Sequence, residues 1–236
     1  MASPQLQLQV LALLLLLAAT ATATPTLIFL LGGQSNMGGR GGATNGPWDG
    51  VVPPECAPSP RILRLSPELR WEEAREPLHA GIDVHNVLGV GPGMSFAHAL
   101  FRAIPPSTVI GLVPCAQGGT PIANWTRGTE LYERMGEADT IRREDAEVYA
   151  GKMEGMVRDV RRELALPELL VIQVGIATGQ GKFVEPVREA QKAVRLPFLK
   201  YVDAKGLPIA NDYTHLTTPA QVKLGKLLAK AYLSTL

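Results

Sequence analysis

The sequence predicts an α/β domain built on a mostly parallel sheet, and three observations predict it. Four short apolar runs, residues 26–31, 109–114, 169–174 and 198–203, are continuous rather than alternating, which suits strands covered on both faces. Helical spacing fills the intervals: Tyr149, Met153, Met156, Val160 and Leu164 recur three and four residues apart, the stripe of a helix facing a core. Strand and helix then alternate along the chain, the order of a doubly wound domain.

Taken in order, the first run ends on Gly32-Gly33-Gln34-Ser35-Asn36-Met37. A Pro/Gly-rich insertion follows over residues 38–93, in which residues 61–65 and 70–74 are expected to form a small hairpin. Residues 95–102 read as a helix leading to the second run. Thr218-Pro219-Ala220-Gln221 resembles a capping box with proline at the first helical position, opening a last helix that ends near Leu233. One interval does not fit. Residues 115–169 hold no strand-like run, and instead offer two helical stretches in succession, 128–135 and the long one after Gly136-Glu137-Ala138-Asp139.

A chain of 236 residues suffices for one domain with a sizeable core. Its formal charge of +1, with 19% charged residues, excludes a nucleic-acid or polybasic membrane partner. Residues 10–19 are unbroken Val, Leu and Ala, too short a run to span a bilayer, and Ala21-Thr22-Ala23 follows as a signal-peptidase site. The expectation is a leader over residues 1–23, although its first part lacks Lys and Arg, and a secreted domain over residues 25–236. After removal of the leader no membrane contact is expected. Asn124-Trp125-Thr126 is a glycosylation sequon that a secreted chain can use. The two cysteines, Cys56 and Cys115, are open to pairing or to burial as free thiols. Neither has a ligand-spaced partner, so no metal is expected.

Catalytic groups in open parallel sheets gather at the carboxyl ends of the strands. Ser35 stands just past the first one, in a turn that glycines keep open, where its hydroxyl and nearby N–H groups can face one point. A phosphate cradle is the other reading of such a turn, but no Gly-Lys-Ser/Thr follows. A serine nucleophile needs a base. Of the four histidines, His98 falls in a helix, and His79 and His85 fall in the insertion without a recognisable carboxylate spacing. His215 closes Asp212-Tyr213-Thr214-His215, just before the last helix. Three residues apart in a turn, Asp212 can hold one ring nitrogen while the other faces Ser35.

Gly33-Gln34-Ser35-Asn36-Met37, Gly91-Pro92-Gly93-Met94-Ser95-Phe96-Ala97, Pro114-Cys115-Ala116-Gln117-Gly118-Gly119-Thr120 and Asp212-x-x-His215 together resemble the sialate-O-acetylesterase-like (SASA) carbohydrate esterases, especially the plant members, within the SGNH hydrolase superfamily. The resemblance implies a three-layer α/β/α fold and hydrolysis of acetyl esters on a polysaccharide or glycan, without a cofactor. It implies Ser35 as nucleophile, His215 as proton relay and Asp212 as its orienting carboxylate. It also implies an oxyanion site made by the N–H groups of Ser35 and Gly118, with Gly119 as the alternative to Gly118.

The chain departs from the family at one block. The family's Trp-x-Gln-Gly-Glu-x-Asp, at the end of a third parallel strand, supplies a glutamine as a further oxyanion donor. Here the corresponding residues are Met135-Gly136-Glu137-Ala138-Asp139. The tail of the block remains while the glutamine and the strand before it are gone, so a helix-plus-strand unit of roughly 20–25 residues is expected to be missing before Gly136. Two functions follow: a secreted acetylesterase acting on an acetylated carbohydrate, such as a cell-wall polymer, with impaired turnover; or an inactive carbohydrate-binding relative or truncated isoform.

Overall fold

The computed structural model describes residues 24–44, 46–120 and 143–236. The expected leader, the Asn124 sequon and the Met135–Asp139 block lie outside the described residues. Strand β1 (Leu27–Leu31) leads into a one-turn helix α1 (Ser35–Gly38). The insertion forms β2 (Ile62–Leu65) and β3 (Trp71–Glu73), then α2 (Gly93–Leu100) leads to β4 (Ile110–Pro114). The long helix α3 (Arg143–Glu163) precedes β5 (Val171–Gly175), α4 (Val184–Ala193), β6 (Leu199–Asp203) and α5 (Thr218–Leu233). All four apolar runs are strands, within two residues of their expected ends.

The strands form two sheets rather than one. The first has the order β1-β4-β2-β3 and the second is the pair β5-β6. Strand β4 lies parallel to both β1 and β2, with Ile110 opposite Leu27 and Ile62. The hairpin of the insertion is therefore not an appendage: β2 joins the main sheet, and β3 closes its edge antiparallel to β2. Strands β5 and β6 are parallel, with Val171 opposite Leu199.

Residue parity on β5 and β6 shows why both faces are apolar. Ile172, Val174 and Val202 belong to a core shared with α2 and α5. Val171 and Leu199, which point the other way, belong to a second core with Tyr149, Met153, Val157 and Val187 from α3 and α4. Helices thus cover both faces of this pair, giving three layers. Among the described residues, strand β1 is covered on one face only. Phe29 packs edge-on against Phe96 at 4.7 Å and Tyr232 at 5.1 Å, whereas Ile28 is 53% and Leu30 46% exposed. Among the described residues nothing pairs with the outer edge of β1 or with the outer edge of β5.

Charged residues inside the fold are tied down. Arg188 of α4 is buried and reaches the Ile176 carbonyl and the Asp203 carboxylate. Cys56 and Cys115 are both free thiols; burial pushes the Cys56 thiol up to about 12 and the Cys115 thiol up to about 11.

Candidate active site

Ser35 begins α1 directly after β1, at the carboxyl end of the parallel strands. Two backbone bonds, Gly38 N–H to the Gln34 carbonyl and Gly39 N–H to the Ser35 carbonyl, close the turn. Gly33 enters it at φ 136°, where a Cβ would stand 3.2 Å from that of Met37, so the turn depends on glycine there. Gly39, at φ 94°, would press a Cβ within 2.6 Å of the Gly89 carbonyl oxygen. The glycines around Ser35 are thus answers to backbone packing. Ser35 itself is 6% exposed.

His215 comes from the loop between β6 and α5. Its Nε2 lies 3.0 Å from Ser35 Oγ and its Nδ1 lies 2.6 Å from Asp212 Oδ2. An ionised carboxylate only accepts, so Nδ1 carries the proton toward Asp212 and Nε2 is left to accept from the serine hydroxyl. The second oxygen of Asp212 accepts from the N–H groups of Thr214, at 2.9 Å, and His215, at 3.0 Å. Burial acts to raise the Asp212 carboxyl, but these N–H groups and the His215 ring outweigh it and hold Asp212 below the usual range. Asp212 is therefore charged at neutral pH, ready to stabilise an imidazolium.

Two residues that sequence reasoning passed over hold the serine turn against the histidine loop. Asn36 accepts from the Leu216 N–H at 2.8 Å and donates to the Thr214 carbonyl at 3.3 Å. Gln221 donates from Nε2 to the Asn36 carbonyl at 3.0 Å. The expected capping box is corrected accordingly. Thr217, not Thr218, caps α5, accepting from the Ala220 N–H, and Gln221 turns its side chain inward to the nucleophile turn. The signal was available, since Asn36 and Gln221 stand beside the two motifs, but both types also read as ordinary turn and cap residues.

The loop after β4 meets the same turn through the Gln117 N–H, which donates to the Gly33 carbonyl at 2.9 Å. Gly118 is placed differently from the expectation. Its N–H donates to Asp83 Oδ2 at 3.2 Å, and that carboxylate also pairs with the buried Arg40 at 2.9 Å and accepts from Asn86 at 2.7 Å. An amide held by a carboxylate is a poor donor to a second anion. The next amide, that of the exposed Gly119 at φ 79°, is not taken by any described residue. Of the other histidines, His79 is buried, which keeps it neutral with a pKa down at about 4, and His98 Nε2 meets the Ala57 carbonyl. Asp203, near the end of β6, is engaged by Arg188 and by the Lys205 N–H.

The family profile described as carbohydrate esterase, sialic acid-specific acetylesterase (SASA), matches residues 25–135 and 136–234. Its two stretches abut between Met135 and Gly136. A relative from Arabidopsis thaliana named "Probable carbohydrate esterase At4g34215" is 50% identical over 238 residues, covering 89% of this chain and 91% of the relative. Since 89% of 236 residues is about 210, between twenty and thirty of those 238 positions have no counterpart here. The X-ray structure of the Arabidopsis thaliana protein AT4G34215 superposes with a TM-score of 0.85 at 49% identity, over 89% of this chain and 99% of that one. NanS superposes at 0.65 and 16% identity, over 90% of this chain and 98% of its own. The carbohydrate acetylesterase XAC1771 from Xanthomonas citri gives 0.59 at 20% identity, over 89% of this chain and 57% of its own. At those identities the last two likenesses speak to the fold.

Proposed function

The chain belongs to the SASA family of carbohydrate esterases, and from that premise we propose that it removes acetyl groups from a carbohydrate through a serine nucleophile. The observation that carries the reading is the contact of His215 Nε2 with Ser35 Oγ at 3.0 Å, backed by Asp212 at 2.6 Å. In the proposed reaction Ser35 Oγ attacks the acetyl carbonyl carbon while its proton passes to His215 Nε2. Asp212 holds the imidazolium that results. The tetrahedral intermediate then collapses, the sugar oxygen leaves with the proton from His215, and an acetyl group remains on Ser35. Water attacks that acetyl group with His215 as base, releasing acetate and restoring the serine. The oxyanion is met by the Ser35 N–H and by the Gly119 N–H, in place of Gly118.

Turnover is weak in this proposal. The family's glutamine donor has no counterpart at Met135, whose thioether donates no hydrogen bond, and loss of one oxyanion donor typically reduces turnover about 10²–10³-fold. The test is acetate release from p-nitrophenyl acetate and from an acetylated oligosaccharide. The mature chain is compared with a version carrying the relative's segment between Met135 and Gly136. The restored version is expected to turn over 10²–10³-fold faster; equal rates would contradict the deficit. The interrupted match at Met135–Gly136 favours a second reading, an inactive relative that still binds carbohydrate, which predicts sugar binding with no acetate released. Secretion after cleavage near Ala23 completes the proposal, and N-terminal sequencing of protein recovered from culture medium checks it.

A further inference from the structure

The turn that carries Asp212 and His215 also carries Tyr213, at φ 60°. Gly and Asn adopt that left-handed region readily, whereas a bulky side chain is strained in it. Leu69, Ala165 and Phe198 share the sign of φ, but their turns hold none of the candidate catalytic groups. Three bonds fix the Tyr213 backbone. Its N–H donates to the Ala210 carbonyl at 3.0 Å, and its carbonyl accepts from the Gly179 N–H at 2.7 Å and the Thr178 hydroxyl at 3.4 Å. A Cβ on Gly179 would lie 3.1 Å from the Tyr213 carbonyl oxygen, a tight approach that glycine eases.

The ring gains nothing from this arrangement. It is 70% exposed, and among the described residues it has no hydrogen-bond or aromatic partner. A strained backbone is therefore locked in place to hold a free aromatic ring in solvent. That ring starts two residues from His215, within about 7 Å along the chain. Strain retained beside a reactive centre points to use of the side chain.

We propose that Tyr213 is a specificity-determining residue, a platform on which the C–H face of a pyranose stacks while its acetyl group meets Ser35. The proposal rests on the esterase reading. A pyranose presents an apolar face of C–H groups beside a rim of hydroxyls, and a tyrosine ring offers a flat apolar surface with a polar tip. With two side-chain torsions, the ring loses little freedom on contact.

The strain supplies a test that folding does not confound. Tyr213→Gly and Tyr213→Asn suit the backbone and remove the ring, while Tyr213→Phe keeps it. Each is placed in a Ser35→Ala background, and affinity for soluble acetylated xylan fragments is measured by calorimetry beside the melting temperature. The Gly and Asn variants are expected to bind about tenfold more weakly, with a melting temperature equal or higher; the Phe variant keeps the affinity. Unchanged affinity in the Gly variant, no measurable affinity before substitution, or a lower melting temperature in the Gly variant would each overturn the platform. A fluorophosphonate tests Ser35 separately in the unaltered chain. An unreactive Ser35 beside intact, ring-dependent sugar affinity would sink the esterase reading and leave the platform standing.

Discussion

His215 Nε2 lies 3.0 Å from Ser35 Oγ, although 180 positions of sequence separate the two residues. Residues that act as a unit lose function together. Ser35→Ala and His215→Ala are each expected to bring acetate release to background, and the double variant to add nothing further. Modest, additive losses would place hydrolysis elsewhere.

Asp212→Asn is expected to be nearly as damaging as the loss of His215. Asp203, at the carboxyl end of β6, is a candidate substitute, but Arg188 and the Lys205 N–H already hold it. An asparagine also invites the wrong ring tautomer, which in a related triad costs about 10⁴-fold. Rates for Asp212→Asn are read beside those for Asp203→Asn. Comparable losses in both would show that the two carboxylates share the role.

Asn36→Ala tests the clamp between the serine turn and the histidine loop. It removes an acceptor from the Leu216 N–H and a donor from the Thr214 carbonyl, each part-buried. Leaving such groups unpaired costs about 1–3 kcal/mol. Thermal unfolding is expected to move down, and acetate release to fall further than the lost stability explains, because His215 no longer has a fixed approach to Ser35.

Glu76 contributes a pH dependence of stability between about pH 4.5 and 8. Burial pushes its carboxyl up to about 8, against the opposing pull of the Leu78 and Gly91 N–H groups. A carboxyl raised in the folded state favours the native fold most fully below its ordinary value of 4.5, and that contribution is lost as pH rises through 8. Glu76→Gln does not titrate, but it turns one donor toward the N–H of Leu78 or Gly91 and forfeits that bond. The variant is expected to be about 1–2 kcal/mol less stable at pH 5, and the difference to close and then reverse before pH 8, because the unaltered chain loses stability over that window and the variant does not. Parallel curves would contradict the assignment.

Much of this was legible in the sequence because the chemistry constrains position. Continuous apolar runs mark buried parallel strands, and a nucleophile belongs just past the end of one, so Ser35 and the Asp212-x-x-His215 spacing stood out. What escaped depends on contacts between distant segments. The hairpin of the insertion was recognisable from its own residues, but the pairing of β2 with β4 was not, because Ile62 and Ile110 meet only through the tertiary fold. Arg188 looks like a surface charge in a polar helix, and burial of its guanidinium depends on Asp203 across the layer. Asn36 and Gln221 look like turn and cap residues until α5 docks on the nucleophile turn. The interval before Gly136 stood out as two helical stretches with no strand-like run, and among the described residues nothing covers Ile28 and Leu30 of β1.

The most direct test of the central claim is the site at which a fluorophosphonate reacts. The mature chain is treated with the reagent, digested and mapped by mass spectrometry, with His215→Ala and Asp212→Asn treated in parallel. A single adduct on Ser35 is predicted, forming more slowly in both variants because His215 is absent from one and no longer oriented by a carboxylate in the other. Adduct on another serine, or release of acetate from a chain whose Ser35 stays unmodified under the same treatment, would contradict the account.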